Sequence, residues 1–451
     1  MDNIDLIARY DGHRVPRYTS YPTAPHFSPG IGPDTYLGWV RELDPDEPVS
    51  LYLHVPFCHA MCWYCGCNTR VVARYQPIAD YLGALDREIA MVAAVLPARM
   101  KVAHIHFGGG TPTMMAPRDF TSLMDRLRSR LDLLPQAEVA VEIDPRTLDP
   151  EMPAALARGG VNRVSLGVQD LNPRVQEAIN RIQPFAATQG AVEALRGVGI
   201  EGINLDLMYG LPHQTPETCA ESARQVLGLA PDRLSIFGYA HVPWMKTHQR
   251  LIDEKALADS RGRWLQFDMI ARTLSEGGYE QIGLDHFALP QDPLALAQRA
   301  GRLHRNFQGY TTDEAGTLLG FGASAIGSLP QGYVQNDPAH ERYGRAVAAG
   351  RPAVTKGLRL SPDDRLRREV IERLMCNLTV DLAEVAAAHG TSADVFAEDV
   401  ARLAPLVEDG IAGIEGSRVF VEDAMRPLVR LAAAVFDAYL DRGAARHSLA
   451  V

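Results

Sequence analysis

Between residues 49 and 240 the chain alternates between two hydrophobic rhythms. Leu51–Val55, Ala103–Phe107, Val139–Ile143, Arg163–Val168, Ile203–Tyr209 and Arg233–Tyr239 are mostly apolar runs with strand character. Such runs predict strands buried on both faces. Between them, Ile78–Ala93, Asp119–Leu131, Ala186–Gly197 and Pro216–Leu227 read as helices. Strand and helix in alternation predict a parallel α/β sheet. Six βα units are too few for a closed eight-stranded barrel and predict a partial one, with its working face at the strand C-termini.

The flanks follow other rhythms. Residues 1–47 predict an N-terminal arm, because RYTSYPTAPHFSPGIGPD is turn-forming and aromatic with little periodicity. Two readings of the arm stand side by side: a strap packed over the barrel, or a lid that brings Arg14 and Arg17 to an acidic ligand. The barrel is expected over 48–264, and 265–350 is expected to extend it with strands and loops that close one side. A mainly helical domain is expected over 351–451. Its helical character begins near Ser361, where SPDDRLRREVIERLMCNL has an N-cap and an acidic first turn. A hairpin, IAGIEGSRVFVED, and a last helix to Leu440 complete a winged-helix-like pattern.

Composition narrows the function classes. At 451 residues, with 46% hydrophobic and 22% charged positions, the chain is long enough for a large core and ordinary in make-up. No stretch approaches the length of a membrane-spanning helix and no apolar run opens the chain, so a cytoplasmic protein is expected. The net charge of −10 argues against nucleic acid, as do sixteen acidic against ten basic side chains in 361–451. An anionic substrate would need a local basic pocket set against that field.

The candidate chemistry gathers where the first strand ends. LYLHVPFCHAMCWYCGCN places Cys58, Cys62, Cys65 and Cys67 in one loop, the first three spaced C-x3-C-x2-C. Three thiolates around a cube of four irons leave one iron open to another ligand. Structural zinc is the competing reading, but it usually takes two separated ligand pairs and no second pair exists. A disulfide does not suit a reducing cytosol.

Other polar residues sit at or just after later strand ends. HFGGGTPT supplies Gly109, Gly110 and Thr111, where glycine permits close approach and leaves amide hydrogens for a ligand. Glu142 is flanked by apolar residues and needs a polar partner, an adenosyl ribose or an α-ammonium group being suitable. Gln169, in SLGVQD, lies at the end of the fourth strand, and Arg181 in NRIQ is a carboxylate-binding candidate. Asp206 lies among apolar neighbours, as an ion-pair, ligand or capping candidate. Phe237 and Tyr239 offer an apolar wall, and Ala240 can approach a ligand. Cys219 and Cys376 read as core cysteines.

The cysteine spacing is that of radical S-adenosylmethionine enzymes. With YTSYPT, HFGGGTPT, SLGVQD, NRIQ, YGLPHQT and HRNFQGYTT in colinear order, the chain resembles the oxygen-independent coproporphyrinogen III oxidase (dehydrogenase) family over nearly its whole length. The resemblance implies an α/β fold, a partial (β/α)6 TIM-like barrel of the radical S-adenosylmethionine type, with the arm and helical C-terminal domain above. It implies a [4Fe–4S] cluster on Cys58, Cys62 and Cys65, with Cys67 close to the reaction, and two S-adenosylmethionine molecules. Tyr52, Gly109, Glu142 and Ile326 correspond to contacts of the cluster-bound molecule. Tyr64, Gly110, Thr111, Gln169, Arg181, Asp206 and Ala240 correspond to contacts of the second, Tyr64 standing where the family commonly has another aromatic.

The implied reaction is anaerobic oxidative decarboxylation of two propionates of coproporphyrinogen III to vinyl groups, giving protoporphyrinogen IX in haem biosynthesis. Hydrogen abstraction by a 5′-deoxyadenosyl radical starts it. An electron donor such as flavodoxin or ferredoxin and a monomeric state are implied with it. Cys67, His54 and Tyr52 are the catalytic candidates. His54 lies on the face of the first strand that carries Tyr52, where a substrate could reach it or where it could be satisfied inside the barrel. Arg14, Arg17, Arg302 and Arg305 are candidates for the substrate carboxylates. A haem-binding chaperone of the same fold is the alternative, and a radical methyltransferase the second rival.

Overall fold

The computed structural model describes residues 13–440 together with Leu6, Arg9 and Tyr10; the remaining positions of the expected arm and C-terminal domain lie outside these. All six expected strands form: β1 (Val49–Val55), β2 (Lys101–Gly109), β3 (Asp132–Ile143), β4 (Arg163–Gln169), β5 (Gly202–Tyr209) and β6 (Arg233–Gly238). Each pairs in parallel with the next in chain order. Helices α1 (Gln76–Ala93), α2 (Pro117–Arg130), α3 (Phe185–Arg196) and α4 (Pro216–Leu227) match the expected ones to within two residues at each end. Apolar residues of these helices and strands make the principal core.

A seventh parallel strand, β7 (Thr317–Phe321), pairs with the far side of β1, Tyr52 opposite Gly320. It belongs to the segment expected to extend the sheet. Hairpin partners Ile326–Leu329, Gly332–Asn336 and Val354–Arg359 continue that edge antiparallel. His286–Ala288 and Glu280–Ile282 continue the β6 edge in the same way, making twelve strands in all.

The expectation of strands apolar on both faces needs correcting. β4 is buried at every second residue: Val164, Leu166 and Val168 face the helices, whereas Arg163, Ser165, Gly167 and Gln169 are half-buried. Ser50, His104, His106, Glu138, Glu142, Arg163, Ser165, Asn204 and Asp206 line an inner cavity of about 160 Å3. An open barrel with a wet lumen reads as period two, like a sheet with one solvated face.

Two expected boundaries also move. Position 264 falls inside α5 (Ser260–Glu276), which packs on α4, and Val354–Arg359 belongs to the large sheet. The C-terminal unit therefore begins at α6 (Pro362–Asn377), whose Ser361–Asp364 capping box the sequence signalled. Helices, the hairpin Ala412–Glu415/Arg418–Val421 and α7 (Val429–Val435) surround a second core. The arm's Tyr10, Val15, Tyr18 and Tyr21 are buried in that core, so the arm straps the C-terminal unit as well as the barrel. Farther along, Ser28 bridges to Gly357, and Tyr36, Trp39 and Val40 join the barrel core.

Candidate active site

The cysteine loop leaves β1 at Val55 and is pinned at its base. Phe57–Cys58 pairs with Arg70–Val71, and the Arg70 amide donates to the Pro56 carbonyl at 2.6 Å. The glycine turn after β2 lies against the start of the loop. Gly110 N–H donates to Val55 O at 2.9 Å and Thr111 N–H to Phe57 O at 2.7 Å. A Cβ on Gly110 would stand 2.7 Å from the Phe57 carbonyl, so only glycine allows this contact. Gly109, at φ +115°, is likewise pressed on the His54 ring. The expectation of free amides is thus corrected: Gly109 N–H donates to Glu142 Oε2 at 3.0 Å, and the other two are used as above. Such a turn still offers carbonyl oxygens, which suit an ammonium group.

Around the loop the structure opens a cavity of about 550 Å3 at the C-terminal ends of the strands. Cys58, Cys62, Cys65, Cys67, Tyr64, Gly109, Gly110, Thr111, Glu142, Gln169, Arg181, Asp206 and Ala240 all line it, with Phe237 and Tyr239 as the expected wall. Three expected residues do not. Tyr52 O–H donates to His54 Nδ1 at 3.0 Å, and His54 Nε2–H donates to Asn68 O at 3.0 Å. With both nitrogens bonded and burial lowering its pKa, His54 is a neutral strut between β1 and the end of the cysteine loop. Tyr52 stacks on His106. Ile326 opens the antiparallel strand next to β7 and packs against the Phe27–Tyr333–Leu360 cluster.

Electrostatics set the thiols of the loop apart from one another. Arg146 Nη2 and Arg181 Nη1 each approach Cys62 Sγ at 3.6 Å. Asp144 orders both guanidiniums, at 2.6 Å from Arg146 and 3.3 Å from Arg181. Arg181 also donates to Gly167 O at 2.6 Å, yet its buried Nε has no hydrogen-bond partner among the described residues. A hydrogen bond from Cys67 holds Cys65 below the ordinary thiol range against burial, with His248 and Lys246 adding positive charge. Cys67 is pushed up by the same pairing and by burial; its thiol is exposed to the cavity while protein surrounds it densely. Burial pushes Cys58 up to about 11, so it keeps its proton until a cationic centre displaces it.

Side chains from the loop after β6 grip the cysteine loop from above. Lys246 donates to Cys67 O at 2.9 Å, His248 Nε2 to Cys65 O at 2.7 Å and Gln249 to Tyr64 O at 2.9 Å. Asn180, of NRIQ, donates to Met61 O at 2.9 Å from the other side. Sequence reasoning missed Asp144, Arg146, Lys246, His248 and Gln249. The single signal lay in DPR, whose Asp144 caps the turn that aims Arg146.

Two acids bracket the lumen. Burial opposes ionisation of Glu142, but His106 at 3.2 Å and the Gly109 amide outweigh it and hold its carboxyl below the usual range. Its polar partner is therefore protein. Asp206 accepts from Ser165 at 2.9 Å and Asn204 at 2.7 Å, and burial pushes it up to about 6. Gln169 reaches the cavity through a strained φ of +71° at a register shift in β4.

The donor set fits an iron–sulfur cube with an organic co-ligand. Three convergent thiols lie beside two guanidiniums and one orphaned buried N–H, at the edge of a roomy polar cavity. Structural zinc would take two separated ligand pairs, and the sequence offers a single cysteine loop.

Residues 52–226 match the radical SAM superfamily, which makes this the fold and the site of a radical S-adenosylmethionine protein. Residues 360–428 match the HemN C-terminal domain. The chain is 54% identical to an oxygen-independent coproporphyrinogen III oxidase of Bradyrhizobium diazoefficiens over 99% of both chains. It is 42% identical to that of Escherichia coli over 97% of this chain and 95% of the other. The solved coproporphyrinogen III oxidase (HemN) from Escherichia coli, described as a radical SAM enzyme, superposes with a TM-score of 0.90, covering 94% of this chain and 98% of that one at 40% identity. The chain belongs to the oxygen-independent coproporphyrinogen III oxidase family. It is a radical S-adenosylmethionine oxidoreductase whose family uses a [4Fe–4S] cluster and S-adenosylmethionine.

Proposed function

We propose that this protein oxidatively decarboxylates two propionates of coproporphyrinogen III to vinyl groups, without oxygen, giving protoporphyrinogen IX. The observation that carries the reading is the intact Cys58–Cys62–Cys65 triad opening onto the 550 Å3 cavity, in a chain alignable end to end with the named oxidases.

Cys58, Cys62 and Cys65 would hold the [4Fe–4S] cluster, and two S-adenosylmethionine molecules would share the cavity. Glu142 and the glycine turn suit an ammonium or ribose hydroxyl of the molecule nearest the cluster. Gln169, Arg181, Asp206 and Tyr64 suit the second. Reductive cleavage of S-adenosylmethionine supplies the radical that removes a hydrogen atom from a propionate. The chain's own groups position that hydrogen and exclude water. Arg146 and Arg181 hydrogen-bond the Cys62 sulfur, while Lys246, His248 and Gln249 hold the loop carbonyls so that the triad keeps its shape. Tyr52 and His54 are positioning residues for the loop; Cys67, which lines the cavity beside the triad, would meet the reacting carbon.

No helix among the described residues is long and apolar enough to cross a membrane. A cytoplasmic monomer reduced by a flavodoxin- or ferredoxin-type donor completes the reading. Anaerobic incubation of the reconstituted protein with S-adenosylmethionine, dithionite and coproporphyrinogen III tests it. Product lighter by two molecules of carbon dioxide and four hydrogen atoms supports the reading. Stoichiometric haem binding without decarboxylation would replace it with the chaperone.

A further inference from the structure

A second cavity, of about 360 Å3, adjoins the first; Arg17, Gly238, Tyr239, Ala240 and Val242 line both. Its charge is unlike the rest of the molecule. Arg14, Arg17, Arg263, Arg305 and Arg430 face only two carboxylates, Asp259 and Asp285, in a chain whose net charge is −10. Asp259 caps α5, and Asp285 is shared between His286 at 2.8 Å and Arg305 at 3.9 Å, so two carboxylates stand among five guanidiniums. The walls are flat and aromatic, with Trp244, Trp264 and Phe267 among them. The cations arrive from separate parts of the chain: the arm, α5, the segment after the barrel, and α7.

Guanidiniums gathered this closely repel one another, and a carboxylate entering among them relieves that repulsion. Arg430 is 8% exposed, and burial together with Arg17 and Arg305 pushes it down to about 10. Arg305 lies over the Tyr310 ring at 4.3 Å, and its buried Nε has no hydrogen-bond partner among the described residues. A largely apolar pyrrolic macrocycle edged with carboxylates satisfies walls and cations together.

We propose that this second cavity seats the propionates that are not reacting, with Arg430 and the Arg14/Arg17 pair as specificity-determining carboxylate anchors. The proposal rests on the coproporphyrinogen reading above and adds where the substrate lies. The reacting propionate then reaches past Gly238 and Ala240 into the cysteine-lined cavity. Converting two carboxylates to vinyl groups removes two anions, so the product holds this cavity less tightly than the substrate. Arg302, a fellow candidate from sequence, is exposed and paired with Glu314 outside it.

The test uses cluster-reconstituted protein with S-adenosylmethionine, and coproporphyrin III as a stable fluorescent tetracarboxylate. Arg430→Gln and the double variant Arg14→Gln/Arg17→Gln are each expected to weaken its binding about 10-fold to 100-fold, as loss of a charge-assisted hydrogen bond implies. They should raise KM for coproporphyrinogen III more than they lower kcat, and reduce the preference for a tetracarboxylate over a dicarboxylate porphyrin. Arg430→Lys should recover part of the loss, and Arg302→Gln should match the parent. Should Arg430→Gln lose its cooperative melt, the arm variant decides alone. Binding within twofold of the parent in the folded variants, or an equal loss in Arg302→Gln, overturns the proposal while leaving the oxidase reading intact. A parent protein that neither binds coproporphyrin III nor turns over coproporphyrinogen III overturns the oxidase reading itself.

Discussion

Cys62 is the most constrained of the thiols, buried and approached by two guanidiniums. Cys62→Ser is therefore expected to abolish iron binding and activity on anaerobic reconstitution. Cys67→Ser should keep the iron and lose turnover, an outcome that iron analysis and product assay separate. Asp206 permits a signed prediction. Its folded pKa, about 6, is raised above the unfolded value, so the folded state holds the proton more tightly. Its stabilising contribution is complete below about pH 4 and lost as pH rises through 6. In metal-free protein Asp206→Asn should thus melt higher than the parent at pH 8, with the difference vanishing near pH 4. At this scale the triad, the strand-end acids and NRIQ were readable because their meaning lies in local spacing. Lys246 and His248 were not, since each reaches the cysteine loop across roughly 180 residues of chain.

The secondary-structure elements act as rails that deliver loops to one face. The contact between the β1 and β2 loops depends on Gly110, whose amide and missing side chain both serve Phe57 and Val55. Gly110→Ala is expected to fold, at a cost of about 1–3 kcal/mol, but to displace the cysteine loop and lower iron content after reconstitution. Within the lumen, Glu138 joins β3 to β4 through Arg163 at 2.9 Å. Burial works against its charge, but Arg163, His104 and Arg233 prevail and pull it down to about 2. Its contribution is present above the unfolded carboxyl value of about 4.5 and is lost as pH falls toward 2. The acid-unfolding curve of Glu138→Gln should accordingly be flatter below pH 4.5 than that of the parent. Strand and helix positions were legible from periodicity. The polar alternation of β4 was not read, because inward polar residues only make sense once the barrel is known to enclose a cavity.

At the level of the whole molecule, two cores are tied by one strap. Tyr18 O–H donates to Asp437 at 3.0 Å, and the Ala438 amide donates to Tyr21 Oη at 3.0 Å, so the arm is built into the C-terminal unit. Tyr21 is 1% exposed, and Tyr21→Ala should cost about 3–5 kcal/mol, seen as a lowered melting temperature. The same substitution should weaken coproporphyrin III binding, because Arg14 and Arg17 hang from that strap. The strap and lid readings of the arm are thus compatible: its tyrosines hold, and its arginines reach the cavity.

By itself the sequence determined the βα alternation, the ligand-competent cysteine spacing and the residues at strand ends, because these rest on short-range geometry and on side-chain chemistry. Tertiary structure alone decided that β7 would flank β1, that His54 would brace the cysteine loop through its ring nitrogens, and that five distant arginines would share one cavity. Those outcomes depend on which surfaces meet after the chain closes on itself, and no local periodicity records that.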